Sequence, residues 1–357
     1  MKRTSFRYFI LISLSFIFIS WGSKGHYAIN NKCPESFPTT MNAFKVWADS
    51  LDLHASDADN RKSSDPNESP KHYIDLENYS EFISKGRIAS TYDSIITIHG
   101  SSFVVSNGTL PWATRSIYDT LKVAFKQLNW HKAMLCASDL GHYVADGFMP
   151  LHLSANYDGQ KTNQKGIHSR YESDLVYYYL SNLTNYSGFQ LNYISNVNKY
   201  IFNYIYTNQH YVDSLLNADN YAVKIDATYS TPYYSALWSK TQFTTSLFKN
   251  ASHSLAELIY SAWLDAGSPP FGSKTQPNEI ITPANLNILL FPNPSNGNFQ
   301  IIGENNFKIV IFDLMGKMEG IYFGKSYNIS HLANGIYFAH IYSNNIFQKS
   351  EKIIIEK

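Results

Sequence analysis

The sequence predicts a mainly α-helical domain followed by a small β-sandwich domain. Apolar residues recur at helical spacing in residues 112–146, 192–216 and 239–266, where glycine and proline are rare. From residue 286 to 357 the pattern changes to short β-type runs separated by turns. The intervening residues 267–285 are rich in Pro, Ser, Gly, Thr and Asn, which is typical of a linker. We therefore expect helical residues 21–266, a linker, and a β-sandwich over 286–357.

The strands of the second domain are predicted from alternating apolar residues bounded by turn residues. They are 287–291, 298–302, 307–312, 335–342 and 349–355. Within the helical domain, loops are predicted at 63–71 and 156–166 because Gly, Pro, Asn and Ser cluster there.

The N-terminus has the pattern of a secretory signal peptide. Three basic residues lead into the apolar run of residues 8–19, which is short for a bilayer span. We predict a signal peptide over residues 1–20, with cleavage after Ser20. No later segment of the sequence is long and apolar enough to span a bilayer, so we expect an exported protein without an integral membrane segment.

Composition limits the classes of function. The 357 residues are 44% hydrophobic and 16% charged, with a net charge of +1. This near-neutral balance lacks the basic footprint of a tight duplex-DNA binder, but it is compatible with an enzyme that meets phosphate esters through metal ions. The two cysteines, Cys33 and Cys136, either pair in an oxidising compartment or remain as buried thiols. Without a cysteine cluster, a zinc ion would need histidine and carboxylate ligands.

Histidines and carboxylates recur at local spacings that suit metal binding. His142 and Asp146 are four residues apart, as are His168 and Glu172, and residues four apart share one helix face. His152 lies between these two pairs. Imidazole nitrogen and carboxylate oxygen are the usual ligands of catalytic zinc. Three further candidates lie upstream: Asp57, Asp59 and His72.

Trp21 becomes the first residue if the signal peptide is removed after Ser20. Its free α-amino nitrogen, with a pKa of roughly 8, and its carbonyl oxygen would then chelate a metal ion together with His26. The alternative is that Trp21 is simply a core aromatic residue and His26 a surface residue.

Taken together, these residues resemble the superfamily of bacterial zinc-dependent phospholipases C and single-strand-specific zinc nucleases. The resemblance runs from Trp21 to about Ala266 and rests on nine positions in a specific order. They are Trp21, His26, Asp57, His72, His142, Asp146, His152, His168 and Glu172.

The resemblance implies a multi-helix fold that holds three zinc ions. One ion would be bound by Asp57, His72, His142 and Asp146. A second would be bound by His152, His168 and Glu172, and a third by Trp21, His26 and the other oxygen of Asp146. Asp59 is the alternative to Asp57. The implied reaction is attack of a zinc-activated water on phosphorus, with the Asp57 carboxylate orienting the water or acting as base.

The resemblance leaves two substrate classes open. Glu172 and the sequence around it are similar to the phospholipase branch, which we favour. The Trp-Gly-x-x-Gly-His opening is similar to the nucleases, in which the position of Asp75 contacts the base and Tyr73 would stack on it. The alternative for Asp75 is that it orients His72. A non-catalytic binding module on the same scaffold is a third possibility.

Two arginines, Arg61 and Arg170, are candidates for a phosphate contact, with a structural ion pair as the alternative.

The C-terminal domain resembles the sorting domain read by the type IX secretion system of Bacteroidetes. The motifs are the segment Leu-Phe-Pro-Asn-Pro-Ser-Asn-Gly at 290–297, residues 310–317 and 332–338, and the terminal run 352–357. The resemblance implies interaction with that secretion machinery and release from the cell or attachment at its surface. Such a signal is an address and carries no information on the substrate.

Overall fold

The computed structural model describes residues 22–273, 289–302, 307–313, 318–343 and 346–357. The chain forms two compact units that divide between Ser273 and Lys274. The first unit is helical and the second consists of antiparallel strands, which confirms the predicted fold class. The predicted signal peptide, Trp21 and residues 274–285 of the predicted linker lie outside the described residues.

The first unit is built from α-helices joined by short turns. The helices are α1 Gly22–Lys32, α2 Ala48–Leu53, α3 Asp57–Arg61, α4 Ser80–Lys85, α5 Tyr92–His99, α6 Ser101–Ser106, α7 Leu110–Lys126, α8 Trp130–Gly147, α9 Ile167–Ser169, α10 Val176–Leu183, α11 Val197–Gln209, α12 Tyr211–Ile225, α13 Thr231–Lys240 and α14 Phe243–Asp265. Between α9 and α10 the chain makes a π-helical turn, Arg170–Leu175. 3₁₀ turns include Cys33–Ser36, Thr39–Trp47, Ser69–His72, Leu76–Asn78 and Pro150–Leu153.

Helix α8 lies in the middle of the helical unit, because α1, α2, α7 and α14 all pack against it. Its last eight residues, 140–147, are all buried. Gly141 allows α1 to approach closely, since a Cβ atom there would lie 2.0 Å from Oδ1 of Asn30. The Asn30 amide in turn donates to the carbonyls of Leu51 (3.1 Å) and Ser138 (3.2 Å). This network fixes α1, the end of α2 and α8 relative to one another.

The long apolar pattern of residues 112–146 covers two helices rather than one. The chain breaks at Leu128, which has φ +55° although it is not glycine. Asn129 is the N-cap of α8, and its side chain accepts a hydrogen bond from the backbone amide of Lys132 at 3.1 Å. The pattern of residues 192–216 likewise contains α11 and the first part of α12.

The described residues of the second unit form two antiparallel sheets. The strands are β1 Leu289–Phe291, β2 Asn298–Ile302, β3 Phe307–Phe312, β4 Met318–Gly324, β5 Ser326–Asn328, β6 Gly335–Ser343 and β7 Ile346–Ile355. The sheet orders are β1-β2-β5 and β4-β3-β6-β7. Both contribute to one core, in which Ile309, Ile341 and Ile353 are fully or almost fully buried. The sequence did not predict β4 and β5; Gly320 and Gly324 interrupt the β-type pattern of β4.

Two further expectations concern the cysteines and the crossing of a membrane. Cys33 and Cys136 are free, buried thiols, so the disulfide alternative is not what the structure shows. Burial raises the pKa of both. None of the helices in the described part of the chain combines the length and apolarity that crossing a bilayer requires.

Candidate metal centre

Helix α8 presents two of the predicted ligands on one face. His142 and Asp146 are one helical turn apart and both are completely buried. Nε2 of His142 lies 3.4 Å from Oδ2 of Asp146. A buried imidazole and a buried carboxylate therefore lie side by side at the candidate metal centre.

The Asp146 carboxylate lies between two sets of histidines. Its Oδ2 atom is 3.0 Å from Nδ1 of His72, and its Oδ1 atom is 3.6 Å from Nε2 of His26. Oδ1 also lies 3.6 Å from Nδ1 of His152. Burial acts to raise the pKa of Asp146, but His142 and His152 outweigh it and hold this pKa well below the usual range. Asp146 thus has the position of a bridging ligand.

Asp59, and not Asp57, joins His72 and His142. Its Oδ1 atom lies 3.6 Å from Nδ1 of His72 and 3.5 Å from Nε2 of His142. Asp57 instead pairs with Nδ1 of His54 at 2.7 Å, and its side chain is 41% exposed against 15% for Asp59. Both aspartates lie on α3. Two residues along a helix are rotated by about 200° around its axis, so the two side chains project from nearly opposite faces. The geometry therefore favours the alternative, Asp59, over Asp57 as the residue that faces the other donor atoms.

His152, His168 and Glu172 form a separate group. Nε2 of His152 lies 3.4 Å from Oε2 of Glu172, and Nε2 of His168 lies 3.2 Å from the same oxygen. His152 belongs to the 3₁₀ turn that follows α8, while His168 and Glu172 lie on α9 and the π-helical turn. π-helical turns often occur at functional sites.

Backbone carbonyls set the orientation of three imidazoles. Nδ1 of His142 lies 2.7 Å from the Ala55 carbonyl oxygen, and Nδ1 of His152 lies 2.5 Å from that of His72. Nδ1 of His168 lies 2.9 Å from the carbonyl oxygen of Tyr157. Because Nδ1 faces a carbonyl oxygen in each case, Nε2 is the ring atom that remains available to a metal ion. This arrangement around histidine ligands is common in metal sites.

His26 stacks on His142, with ring centroids 3.9 Å apart and planes at 4°. Burial and the neighbouring His142 lower the pKa of His26 to about 3. For His142, burial acts to lower the pKa, but the carboxylates of Asp146 and Asp59 outweigh it and raise the value to about 9. His26 is therefore a neutral imidazole at physiological pH, the form that binds a metal.

The donor atoms fall into three groups that suit metal ions. Within each group the ligand atoms lie within 4.8 Å of one another. The groups are His26, His142 and Asp146; Asp59, His72 and His142; and His152, His168 and Glu172. Neither cysteine takes part, and neutral imidazole with carboxylate is a donor set that fits zinc. These eight residues, which come from several separate segments of the chain, meet around α8; seven of them were predicted from the sequence, and Asp59 was the stated alternative to Asp57.

The start of α1 lies beside the group of His152, His168 and Glu172, although Trp21 itself is outside the described residues. A Cβ atom at Gly22 would lie 3.0 Å from Oγ of Ser173, the neighbour of Glu172. Gly22, the first described residue of the chain, therefore lies close to this group.

Tyr73 and Asp75 follow His72 along the chain. Tyr73 donates to the Ser106 carbonyl at 3.3 Å. Burial, together with Glu77, raises the pKa of Asp75 to about 6, while Lys161 acts in the opposite direction. The carboxylate that faces Nε2 of His72, at 3.5 Å, is that of Glu68. Glu68 thus has the orienting position considered for Asp75. Sequence reasoning missed it, although its spacing of four from His72 was a usable signal.

Both arginine candidates are engaged in ion pairs. Arg61 bonds the two carboxylate oxygens of Asp139 at 3.1 and 3.0 Å. Arg170 is buried and bonds Asp219 at 3.0 Å and the Tyr233 hydroxyl at 3.1 Å. The geometry therefore matches the second of the two alternatives for these arginines, a structural ion pair.

Comparison with known proteins is decisive for the second unit. Residues 289–356 match the family model of the secretion system C-terminal sorting domain. This confirms the predicted sorting domain. The protein is thus exported by type IX secretion and is released or held at the cell surface.

Similar solved structures include two clostridial alpha-toxins. The alpha toxin of Clostridium absonum is 12% identical with a TM-score of 0.42, over 92% of this chain and 94% of that chain. The alpha-toxin of an avian strain of Clostridium perfringens is 9% identical with a TM-score of 0.46, over 94% of each chain. No curated protein matches the chain by sequence.

Proposed function

We propose that the helical unit is a zinc-dependent hydrolase of phosphate diesters. The observation that carries this proposal is the convergence of three groups of imidazoles and carboxylates, two of which share His142. Asp146 links them, because its two oxygens face different histidines. A scaffold that keeps a full set of buried ligand atoms at contact distance favours an enzyme over a non-catalytic binding module.

The chain's own residues have distinct roles in this proposal. His72, His142 and Asp146 hold one ion with Asp59, and His152, His168 and Glu172 hold a second. His26 and Asp146, with the amino end of Trp21, hold a third. Zinc in such a centre supplies Lewis-acid chemistry, which makes water a nucleophile near neutral pH and neutralises charge on a phosphoryl group.

Asp59 is also the candidate base. Burial acts to raise its pKa, but His142 outweighs it and keeps this pKa well below the usual range. The side chain is partly exposed, whereas Asp146 is fully buried. An ionised carboxylate at the open side of the centre is placed to orient an attacking water and accept its proton.

The leading substrate class is a phospholipid head group, supported by Glu172 as the last ligand of the second group. Single-stranded nucleic acid is the second candidate. It is favoured by Tyr73, which is partly exposed beside the centre, and by Asp75, a partly buried carboxyl whose pKa burial raises to about 6.

Removing the metal is expected to abolish activity reversibly. After treatment with a chelator, hydrolysis of a bis-aryl phosphate by the mature protein should fall by about a hundredfold or more, since metal activation of water is worth several kcal/mol. Added zinc should restore it. Zinc content is measured on the same samples, and the far-UV circular dichroism shows whether the helices persist.

The same samples separate the candidate functions. Head-group release from phosphatidylcholine vesicles supports the phospholipase reading, while cleavage of single-stranded DNA supports the nuclease. A protein purified with zinc that cleaves none of the three substrates would be a binding module. A protein that binds no zinc would overturn the proposal.

A further inference from the structure

His72 faces the centre in the opposite sense to three of its neighbours. His142, His152 and His168 direct Nδ1 to backbone carbonyls and Nε2 to the centre. His72 directs Nδ1 to the centre, 3.0 Å from Oδ2 of Asp146. The same Nδ1 atom of His72 lies 3.0 Å from Nε2 of His142. Its buried Nε2 atom lies 3.5 Å from Oε1 of Glu68 and makes no shorter hydrogen bond among the described residues.

Glu68 is held firmly in this place. Its side chain is 1% exposed. The Tyr143 hydroxyl donates a short hydrogen bond to Oε1, the oxygen that faces His72. Lys71 donates to Oε2 at 2.7 Å, and Nε of Arg61 lies 3.5 Å from the same atom. Two cations and a hydroxyl therefore keep this carboxylate charged and fixed.

The same contacts tie Glu68 to α8. Tyr143 directly follows the ligand His142, and Arg61 is bonded to Asp139 one turn earlier on the helix. The carboxylate is thus aligned with the helix that presents His142 and Asp146.

We propose that Glu68 is a positioning residue for the metal centre. Its carboxylate keeps the His72 proton on Nε2 and so directs the Nδ1 lone pair to the ion held with Asp59 and His142. This inference rests on the proposed zinc-dependent function. A carboxylate behind a histidine ligand fixes the ring and raises its basicity, and its loss typically weakens metal binding by about 10–100-fold.

The test is Glu68→Gln in the full mature protein, which keeps the side-chain shape and removes the charge. Zinc affinity is measured by competition with a chromophoric chelator. One ion should bind about 10–100-fold more weakly, while the other ions keep their affinity. Visible absorption after cobalt substitution should change for the same single site.

A matched control is present in the chain. Glu257 is also buried and lies four residues from a histidine, with Oε1 3.5 Å from Nε2 of His253. It also accepts from a tyrosine, Tyr200, at 2.7 Å. It lies on α14 and belongs to none of the three donor groups. Glu257→Gln should leave all zinc affinities within about twofold, below the effect of a lost orienting partner.

A mutation-free measurement keeps the inference testable if Glu68→Gln does not fold. Imidazole ¹⁵N chemical shifts of the zinc-loaded protein should show His72 protonated on Nε2 and metal-bound through Nδ1. The reverse assignment, or unchanged zinc affinity in Glu68→Gln, would overturn the role of Glu68 alone. Absence of zinc from the unmodified protein would instead overturn the proposed function.

Discussion

Asp59→Asn is expected to reduce phosphodiester hydrolysis by about a thousandfold, whereas Asp57→Asn leaves the rate within about twofold. A thousandfold loss corresponds to about 4 kcal/mol of transition-state stabilisation, the scale expected for a lost ligand and base. Asp59 lies 3.5–3.6 Å from two histidines of the centre. Asp57 contacts only the neighbouring surface histidine, His54, among its described side-chain partners.

The two variants form a matched pair, because they make the same chemical change two residues apart on one short helix. The measurement is the steady-state rate with a bis-aryl phosphate at saturating zinc, with zinc content determined in parallel. Equal losses in both variants would indicate damage to α3 rather than loss of a ligand. A larger loss in Asp57→Asn would return the ligand role to the residue first predicted.

Asp146→Asn is expected to have the broader effect, since its carboxylate links two of the donor groups. Oδ1 faces His26 and Oδ2 faces His72 and His142. Without the charge, zinc content should fall from three ions to about one, and hydrolysis should fall to background. The remaining ion is the one expected at His152, His168 and Glu172.

The control for this variant is Asp119→Asn on α7, which removes a surface partner of Arg115. It should retain full zinc content, because an exposed ion pair contributes only about 0–1 kcal/mol to stability. Circular dichroism of both variants checks the helices. If Asp146→Asn kept three zinc ions and half or more of the activity, the bridging role of Asp146 would be wrong.

Local spacing explains which parts of the site could be predicted from the sequence. Two pairs, His142 with Asp146 and His168 with Glu172, lie on helical turns where residues four apart share a face. Their partnership is therefore visible without a structure. The order of the remaining ligands came from the superfamily resemblance, because no local rule relates His26 or His72 to α8.

Orientation is where sequence reasoning was insufficient. The choice between Asp57 and Asp59 depends on how the single-turn helix α3 is rotated against α8, and periodicity within five residues does not fix that rotation. The break at Leu128 was missed because a non-glycine residue adopts the left-handed conformation there. Glu68 was missed because its role depends on which nitrogen of His72 faces the centre.

The most direct measurement is a crystal structure of the mature protein with diffraction recorded on both sides of the zinc absorption edge. The account predicts three anomalous peaks: one between Asp59, His72 and His142, one between His152, His168 and Glu172, and one beside His26 and Asp146 at the amino end of Trp21. Diffraction with no zinc signal among these side chains, from protein supplied with zinc, would contradict it.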